Sequence, residues 1–240
     1  MNIIILGYGK MGKIISDIAE ERGHHIAAKI TADNRELLDE LDTADIDAAI
    51  EFSQPEAALE NISWAINHGI PVVSGTTGWL DKKPEIERLT LSKGGAFFYA
   101  SNFSIGVNIF FKVNRYLAKL MDEQPDYTIR MEEIHHTEKK DAPSGTAITL
   151  AEDIINKVDR AKRWKMDTDT VDNGHNILIS SKRLDKVPGT HVVSYTSEID
   201  DIEIKHTAHN RQGFALGAVL VSEWIKDRKG ILSMNDFLSF

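Results

Sequence analysis

The first dozen residues constrain the fold more than any other stretch of the chain. Residues 2–6, Asn-Ile-Ile-Ile-Leu, form an apolar run typical of strands that are buried on both faces of a parallel sheet. Residues 7–12, Gly-Tyr-Gly-Lys-Met-Gly, follow at once, and a helix is predicted from there to about Arg22. Glycines in this order permit a tight turn and let backbone N–H groups approach a pyrophosphate at the helix start. The pattern predicts a Rossmann-type dinucleotide-binding domain, and the alternative is a tight turn without a ligand.

The same alternation of strands and helices continues through the first hundred residues. A helix opens at Pro55, a long helix is predicted at residues 105–121, and further strands are predicted at residues 25–30, 46–52, 70–74 and 96–100. In an open parallel sheet the carboxyl ends of the strands share the edge at which ligands bind. Ser53 and residues 75–78 follow two of these strand ends. Plain βα turns, which also favour Gly, Ser and Thr, are the alternative explanation.

The pattern changes at Tyr127. Apolar and polar residues then alternate along the predicted strands at residues 127–134, 176–183, 191–196 and 202–206. Such strands suit an open mixed sheet with one solvated face. Apolar residues have helical spacing at residues 147–158, a polar loop is predicted at residues 160–174, and an apolar helix at residues 213–225 returns to the first domain.

These patterns together predict an α/β fold of two domains. The first is a Rossmann-type doubly wound parallel sheet, and the second is an α+β domain built on an open mixed sheet. We assign residues 1–106 and 207–240 to a dinucleotide-binding domain, and residues 107–206 to a substrate-binding and oligomerisation domain.

The end of the second strand bears on the choice between NADH and NADPH. Rossmann folds often place an acidic residue there to hydrogen-bond the ribose 2′-hydroxyl, but this chain has Thr31, with Asp33 later and Arg35 close behind. An Arg beside a small Thr could accommodate the 2′-phosphate of NADPH, and we expect NADPH to be used at least as well as NADH. A solvated surface Arg35 is the alternative.

Residues 133–147, Glu-Ile-His-His-Thr-Glu-Lys-Lys-Asp-Ala-Pro-Ser-Gly-Thr-Ala, carry the densest chemistry in the chain. His135, His136 and Lys139 can give up protons, and residues 144–146 offer hydroxyls and N–H groups at a helix start, which suits an anion. This combination predicts an enzyme that acts on a small acid. Taken singly, a His pair at a strand end is usually a surface feature, and Pro143 and Ser144 are ordinary helix-start residues.

Composition limits the partners. The chain has 240 residues, 28 Lys and Arg against 37 Asp and Glu, a net charge of −9, and no cysteine. The negative charge argues against a nucleic-acid partner. No apolar run is long enough to span a bilayer, and the lack of disulfides fits a reducing compartment, so we expect a cytoplasmic protein. His206 and His209 lack a third ligand at a suitable spacing, and no metal site is predicted.

Several motifs together resemble the dihydrodipicolinate reductase family, also called 4-hydroxy-tetrahydrodipicolinate reductase. The most specific is His135-His136, then Lys139, then residues 141–146, Asp-Ala-Pro-Ser-Gly-Thr. The other motifs fall in the family's order and cover nearly the whole chain: the glycine loop at residues 7–12, residues 51–55, residues 75–78, residues 101–108, and residues 206–211 followed by residues 214–218.

The resemblance implies reduction of 4-hydroxy-tetrahydrodipicolinate (dihydrodipicolinate) to tetrahydrodipicolinate by hydride transfer from NADH or NADPH, in diaminopimelate and L-lysine biosynthesis. It implies that His135 donates the proton and that Lys139 binds substrate and steadies negative charge, while His136, Ser144, Gly145 and Thr146 hold carboxylate oxygens. It also implies a homo-oligomer, a tetramer that pairs the sheets of its substrate domains. The predicted cofactor-binding residues are Gly7, Tyr8, Gly9, Lys10, Met11, Gly12, Arg35, Phe52, Ser53, Gly75, Thr76, Thr77, Ser101, Asn102 and Phe103.

Two alternatives remain at this stage. Another small dehydrogenase, acting on aspartate or homoserine, would explain the glycine loop but not the combination of His135, His136 and Lys139 with residues 144–146. A protein that senses NAD(P)H without turnover would also explain the glycine loop, but the intact proton donors argue against it.

Overall fold

The computed structural model describes residues 1–167, 175–210 and 212–239. The chain forms two compact units, Met1–Ile105 with Gln212–Phe240, and Gly106–Arg211. The family-specific roles assigned to the two domains stay predictions. In the described part of the chain no helix is both long and apolar enough to cross a membrane.

The first unit is built on a six-stranded sheet. Its strands are β1 (Asn2–Leu6), β2 (His25–Ile30), β3 (Ala48–Glu51), β4 (Val72–Ser74), β5 (Ala96–Tyr99) and β11 (Gly230–Leu232). Their order is β11-β5-β4-β3-β1-β2, and every neighbouring pair is parallel. The helices are α1 (Lys10–Glu21), α2 (Leu37–Glu40), α3 (Pro55–Asn67), α4 (Lys83–Lys93), α7 (Gln212–Ile225) and α8 (Met234–Leu238).

Helices cover both faces of this sheet because its strands are apolar on both sides. Ile3 and Ile5 of β1 pack in one core with residues of α1 and α7. Ile4 and Leu6, which point to the opposite face, pack in a second core with residues of α3 and α4. The predicted Rossmann-type doubly wound sheet is therefore confirmed.

The second unit is built on a five-stranded mixed sheet. Its strands are β6 (Thr128–His135), β7 (Arg163–Met166), β8 (Asn176–Arg183), β9 (Gly189–Thr196) and β10 (Asp201–Ala208), in the order β10-β9-β6-β8-β7. The central strand β6 is parallel to β8 and antiparallel to β9. Two helices, α5 (Ile105–Met121) and α6 (Gly145–Ile155), supply the apolar residues that cover one face. The open mixed sheet is confirmed.

Some predicted boundaries were wrong. The polar segment at residues 160–174 is not all loop, because β7 forms within it as an edge strand beside β8, while residues 168–174 lie outside the described part. Helix α6 begins at Gly145, after the cap Ser144, as expected for a helix start at residues 144–146, but it ends at Ile155 and not at residue 158. Helices α2, α4 and α8 and strand β11 were not predicted, although Pro84 in the first turn of α4 and the left-handed Gly94 after it are end signals.

Candidate active site

The glycine loop of the first unit has the geometry that close ligand approach requires. Gly7 has a φ of +101°, which favours glycine, and a Cβ on Gly12 would lie 2.0 Å from the Gly7 carbonyl oxygen. A Cβ on Gly9, which precedes α1, would instead meet nothing within 4 Å. Gly7 and Gly12 thus shape the turn, and Gly9 leaves open space at the helix start for a phosphate group.

A cavity of about 290 Å³ lies beside this loop, where the order of strands reverses around β1. Its lining residues come from the ends of β1, β2 and β3 and the start of α3: Gly7, Tyr8, Gly9, Ile30, Thr31, Ala32, Arg35, Phe52, Ser53, Gln54, Ala57 and Asn61. Arg35 lines the cavity, but its Nη2 also lies 2.8 Å from Oε1 of Glu60. The sequence pattern did not reveal this ion pair.

Glu51, the last residue of β3, ties two predicted cofactor loops together. Its carboxylate is fully buried and accepts hydrogen bonds from the hydroxyls of Ser53, Ser74 and Thr76, at 2.5, 2.7 and 2.8 Å. The Ser53 N–H also donates to Thr76 Oγ1 at 2.8 Å. Because Ser53 follows β3 and Thr76 follows β4, this carboxylate holds both loops at one sheet edge. Sequence reasoning gave Glu51 no role.

The other predicted cofactor residues have varied surroundings. A Cβ on Gly75 would lie 2.3 Å from the Phe52 ring, so these two residues pack closely. The Phe103 ring is buried and packs at a tilt against the Phe52 ring, with a centroid distance of 5.5 Å, which leaves its backbone for any ligand contact. Lys10, Thr77 and Ser101 are exposed, whereas Tyr8, Met11 and Asn102 are half-buried.

In the second unit, the motif at residues 133–147 begins at the end of β6. Ile129, Met131, Glu133 and His135 alternate onto the helix-covered face, and the first two join the core while the last two are polar and buried. Glu133 pairs in register with Ser181 on β8 and His191 on β9. A buried polar cluster therefore ends the apolar core of this sheet.

Glu133 is the centre of this cluster. Its Oε1 accepts hydrogen bonds from Ser181 Oγ at 2.8 Å and Arg183 Nη2 at 3.2 Å, and its Oε2 accepts one from the Ser144 N–H at 3.0 Å. Burial alone would raise the pKa of Glu133, but the hydrogen bonds from Ser144 and Ser181 outweigh it and hold that pKa below its usual value. Glu133 is therefore an ionised carboxylate inside the protein.

His135 lies against this carboxylate. Its Nδ1 is 3.4 Å from Glu133 Oε2, and no hydrogen bond reaches that nitrogen from the described residues. A Cβ on Gly189 would lie 3.1 Å from Nε2, so any larger residue there would crowd the ring. Burial lowers the pKa of His135, and Glu133 opposes that effect, while Lys139, Arg183 and His136 add to it. The ring is a titratable group whose protonation depends on its neighbours.

His191 completes the cluster as a neutral ring. Its Nε2 lies 3.0 Å from Ser144 Oγ, and its ring packs edge-on against His135 at 5.0 Å. Burial, followed by the charge of His135, lowers the pKa of His191 to about 4. Donor atoms of Glu133, His135 and His191 lie within 4.8 Å of one another, as metal ligands would. Hydrogen bonds account for this cluster, because the Glu133 oxygens accept from Ser144, Ser181 and Arg183, and Ser144 also bonds His191. The absence of a metal stays a prediction.

Lys139 lies in the loop after β6 and is paired with a neighbour. Its Nζ lies 2.9 and 2.8 Å from the two carboxylate oxygens of Asp141. Arg183 fastens the same loop by donating to the carbonyl oxygens of Lys139 and Asp141, at 3.3 and 2.6 Å. The loop is thus anchored to β8 at a residue that also contacts Glu133.

The residues of the predicted anion site lie at the start of α6. Ser144 caps the helix, since its Oγ accepts from the Ala147 N–H at 3.2 Å. Its own N–H and hydroxyl are engaged by Glu133 and His191, as described above. Gly145 is exposed, and a Cβ there would meet nothing within 4 Å. His136 is half-buried, and its Nδ1 lacks a hydrogen bond from the described residues.

Sequence reasoning missed Glu133, Ser181, Arg183 and His191. The first had a signal, because a residue two positions before His135 on a strand shares its face. The other three become neighbours only through the register of β8 and β9 with β6.

Family models match both parts of the chain. The model of dihydrodipicolinate reductase, N-terminus, matches residues 1–103, and that of dihydrodipicolinate reductase, C-terminus, matches residues 106–238. A 4-hydroxy-tetrahydrodipicolinate reductase from Christiangramia forsetii is 50% identical over 241 residues, which cover 100% of this chain and 98% of the relative. One from Archaeoglobus fulgidus is 38% identical over 208 residues, 83% of this chain and 79% of the relative.

Solved structures share the fold. Dipicolinate-bound dihydrodipicolinate reductase from Paenisporosarcina sp. TG-14 superposes with a TM-score of 0.76 at 21% identity, over 99% of both chains. An amine dehydrogenase from Mycobacterium smegmatis superposes with a TM-score of 0.58 at 10% identity, over 97% of this chain and 94% of the other. At these identities the likeness shows the fold alone, so the choice among dehydrogenases rests on the family models and the close relative. The chain therefore belongs to the dihydrodipicolinate reductase family, as its motifs predicted, and it is an NAD(P)H-dependent oxidoreductase.

Proposed function

We propose that His135 is the proton donor of this enzyme, which reduces 4-hydroxy-tetrahydrodipicolinate, once water has left it, to tetrahydrodipicolinate in diaminopimelate and L-lysine biosynthesis. A reduced nicotinamide, when bound, supplies the hydride that adds to C4 of the substrate ring. His135 then protonates the adjacent carbon and regains a proton after each turnover. The observation that carries this proposal is the buried pairing of His135 with Glu133, 3.4 Å apart, next to the start of α6.

Lys139 and the start of α6 are proposed to hold the two substrate carboxylates. Lys139 carries a positive charge that now faces Asp141, and a substrate carboxylate would compete for the same ammonium group. The first-turn N–H groups of Gly145 and Thr146 have no acceptor within their own helix, and His136 offers a further nitrogen. Ser144 is proposed to shape this cradle, because its polar groups already bond Glu133 and His191.

The glycine loop and the cavity beside it are proposed to hold the cofactor, either NADH or NADPH. Gly9 leaves room for the pyrophosphate, and the loops joined by Glu51 lie along the same sheet edge. Use of NADPH at least as well as NADH is proposed because Thr31 follows β2 where an acid would repel the 2′-phosphate, while Arg35 lines the cavity.

Arg35→Ala tests this cofactor preference. A charge-assisted contact is worth about 1.5–3 kcal/mol, and about 1.4 kcal/mol is a factor of ten in affinity, so NADPH affinity should fall roughly tenfold or more. NADH affinity should not change. Quenching of protein fluorescence on titration with each nucleotide measures both constants without turnover.

Glu60→Gln is the matched variant, because it removes the present partner of Arg35 at 2.8 Å and leaves the cavity intact. It should tighten NADPH binding and leave NADH binding alone. Equal effects of Arg35→Ala on both nucleotides, or no effect on either, would show that Arg35 does not contact the 2′ position.

The assembly is proposed to be a homo-oligomer, a tetramer. Helices α5 and α6 cover one face of the mixed sheet, and the opposite face presents exposed side chains of both charges, among them Arg130, Lys182, Glu203 and Lys205. Such a surface can be self-complementary across a twofold axis. Cytoplasmic localisation and the lack of a nucleic-acid partner stay predictions.

Light scattering during gel filtration should give a mass near four times the 26.9 kDa chain. Lys205→Glu on β10 should lower this mass by placing like charges opposite one another. Lys93→Glu, an exposed residue at the end of α4 in the other unit, should not change it. A monomer at every concentration would contradict the proposal.

A further inference from the structure

The reaction proposed above gives Glu133 no chemical step of its own, although its carboxylate is fully buried beside the proton donor. A buried carboxylate is costly unless it is hydrogen-bonded and paired, so its presence calls for an explanation. We propose that Glu133 is a positioning residue that holds the His135 imidazole in place and stabilises its protonated form. The inference rests on the proposed role of His135 as the proton donor.

The carboxylate of Glu133 is itself fixed from three sides. Ser181 and Arg183 on β8 donate to Oε1, and the Ser144 N–H at the start of α6 donates to Oε2. These bonds come from the neighbouring strand and from the helix, so the carboxylate cannot rotate away without breaking several of them. Oε2 is consequently held 3.4 Å from His135 Nδ1, a nitrogen that no hydrogen bond reaches from the described residues.

The distance of 3.4 Å between His135 Nδ1 and Glu133 Oε2 suits a contact that shortens when the His135 ring is protonated. Neutral His135 can carry its hydrogen on either nitrogen, whereas the imidazolium carries hydrogens on both and gains an attraction to Oε2. Catalytic hydrogen bonds are often long in unliganded structures and shorten when substrate is bound. Gly189, close to Nε2, limits the movement of the ring on its other side.

Charges reach His135 from every element packed around it. Burial disfavours a proton on the ring most strongly. The charges of Lys139 and His136 in the loop after β6, and of Arg183 on β8, add to this effect. His191 on β9 adds no full charge near neutral pH, because its own pKa is held at about 4. Glu133 on β6 supplies the opposing negative charge. Without it, a buried ring surrounded by cations would lose its proton at lower pH.

Glu133→Gln tests this inference through the titration of His135. The protein would be labelled with 13C-histidine, and the Cε1 shift of His135, assigned with His135→Gln, would be followed against pH by NMR. An opposite charge within about 4–6 Å shifts a pKa by roughly one to three units, so the His135 midpoint should move down by about one pH unit or more. The donor must be protonated, so the loss of kcat/KM on the alkaline side, which reports the free enzyme, should move to lower pH by the same amount.

Two variants separate the effect of the Glu133 charge on the His135 titration from the effect of the hydrogen bonds that surround the carboxylate. Ser181→Ala removes one donor to the carboxylate but keeps its charge, and the His135 midpoint should stay close to that of the wild type. Arg183→Gln removes a cation that opposes protonation, so the midpoint should move to higher pH. If Glu133→Gln does not fold, Glu133→Asp takes its place: the charge sits one methylene further away, and the midpoint should fall by less.

The outcomes distinguish this inference from the proposed function. A lower midpoint together with an unchanged pH profile of kcat/KM would support the role of Glu133 and reject His135 as the proton donor. An unchanged midpoint in whichever Glu133 variant folds, even with activity lost, would overturn the inference and leave Glu133 a structural residue.

Discussion

His135→Gln should lower kcat by roughly a hundredfold or more, because a positioned general acid typically contributes on that scale. Glutamine keeps much of the volume of the ring and its ability to hydrogen-bond, but it cannot donate a proton at neutral pH. Nucleotide binding should be nearly unchanged, since the glycine loop belongs to the other unit. The measurement is nicotinamide absorbance, with substrate produced in situ by the preceding synthase and with NADH and NADPH tested in parallel.

His175→Gln provides the control for this prediction. His175 is an exposed histidine in the same unit, just before β8, and its replacement should leave kcat at the wild-type value. Full activity of His135→Gln would mean that another group donates the proton.

Lys139→Ala should lower kcat/KM by roughly tenfold to a hundredfold, because a charged hydrogen bond to a carboxylate contributes about 1.5–3 kcal/mol. Both KM and kcat should be affected if Lys139 binds the substrate dianion and also steadies charge that develops during hydride transfer. In the wild type, Lys139 holds the carboxylate of Asp141. In the variant this carboxylate loses its partner, and its negative charge then repels the substrate dianion.

The chain offers a matched control at the next position. Lys140 is an exposed neighbour, and Lys140→Ala removes the same charge from the same loop. It should keep kcat and KM near the wild-type values. If Lys139→Ala and Lys140→Ala weaken the enzyme equally, only the general charge of the loop matters; if Lys139→Ala weakens nucleotide binding alone, its assignment to the substrate site is wrong.

Local patterns were sufficient for most of the architecture. The run of apolar residues before Gly7 is long enough to form a buried strand, and the alternation after Tyr127 predicts a sheet with one solvated face. Strand β8 and helix α5 were predicted with their observed limits, since their periodicity is unbroken. Strand β7 was missed because a short edge strand, half-exposed and polar, has no periodicity of its own.

The sequence by itself determined the family, the two-part fold and the predicted site residues, because glycine spacing, strand alternation and the order of His, Lys, Ser and Thr are all local properties of the chain. Only the tertiary structure decided which side chains surround them. Arg35 pairs with Glu60, and Glu133 meets Ser181 and His191. These contacts depend on strand register and on helix placement, since residues tens of positions apart become neighbours only when the sheet and its covering helices have formed.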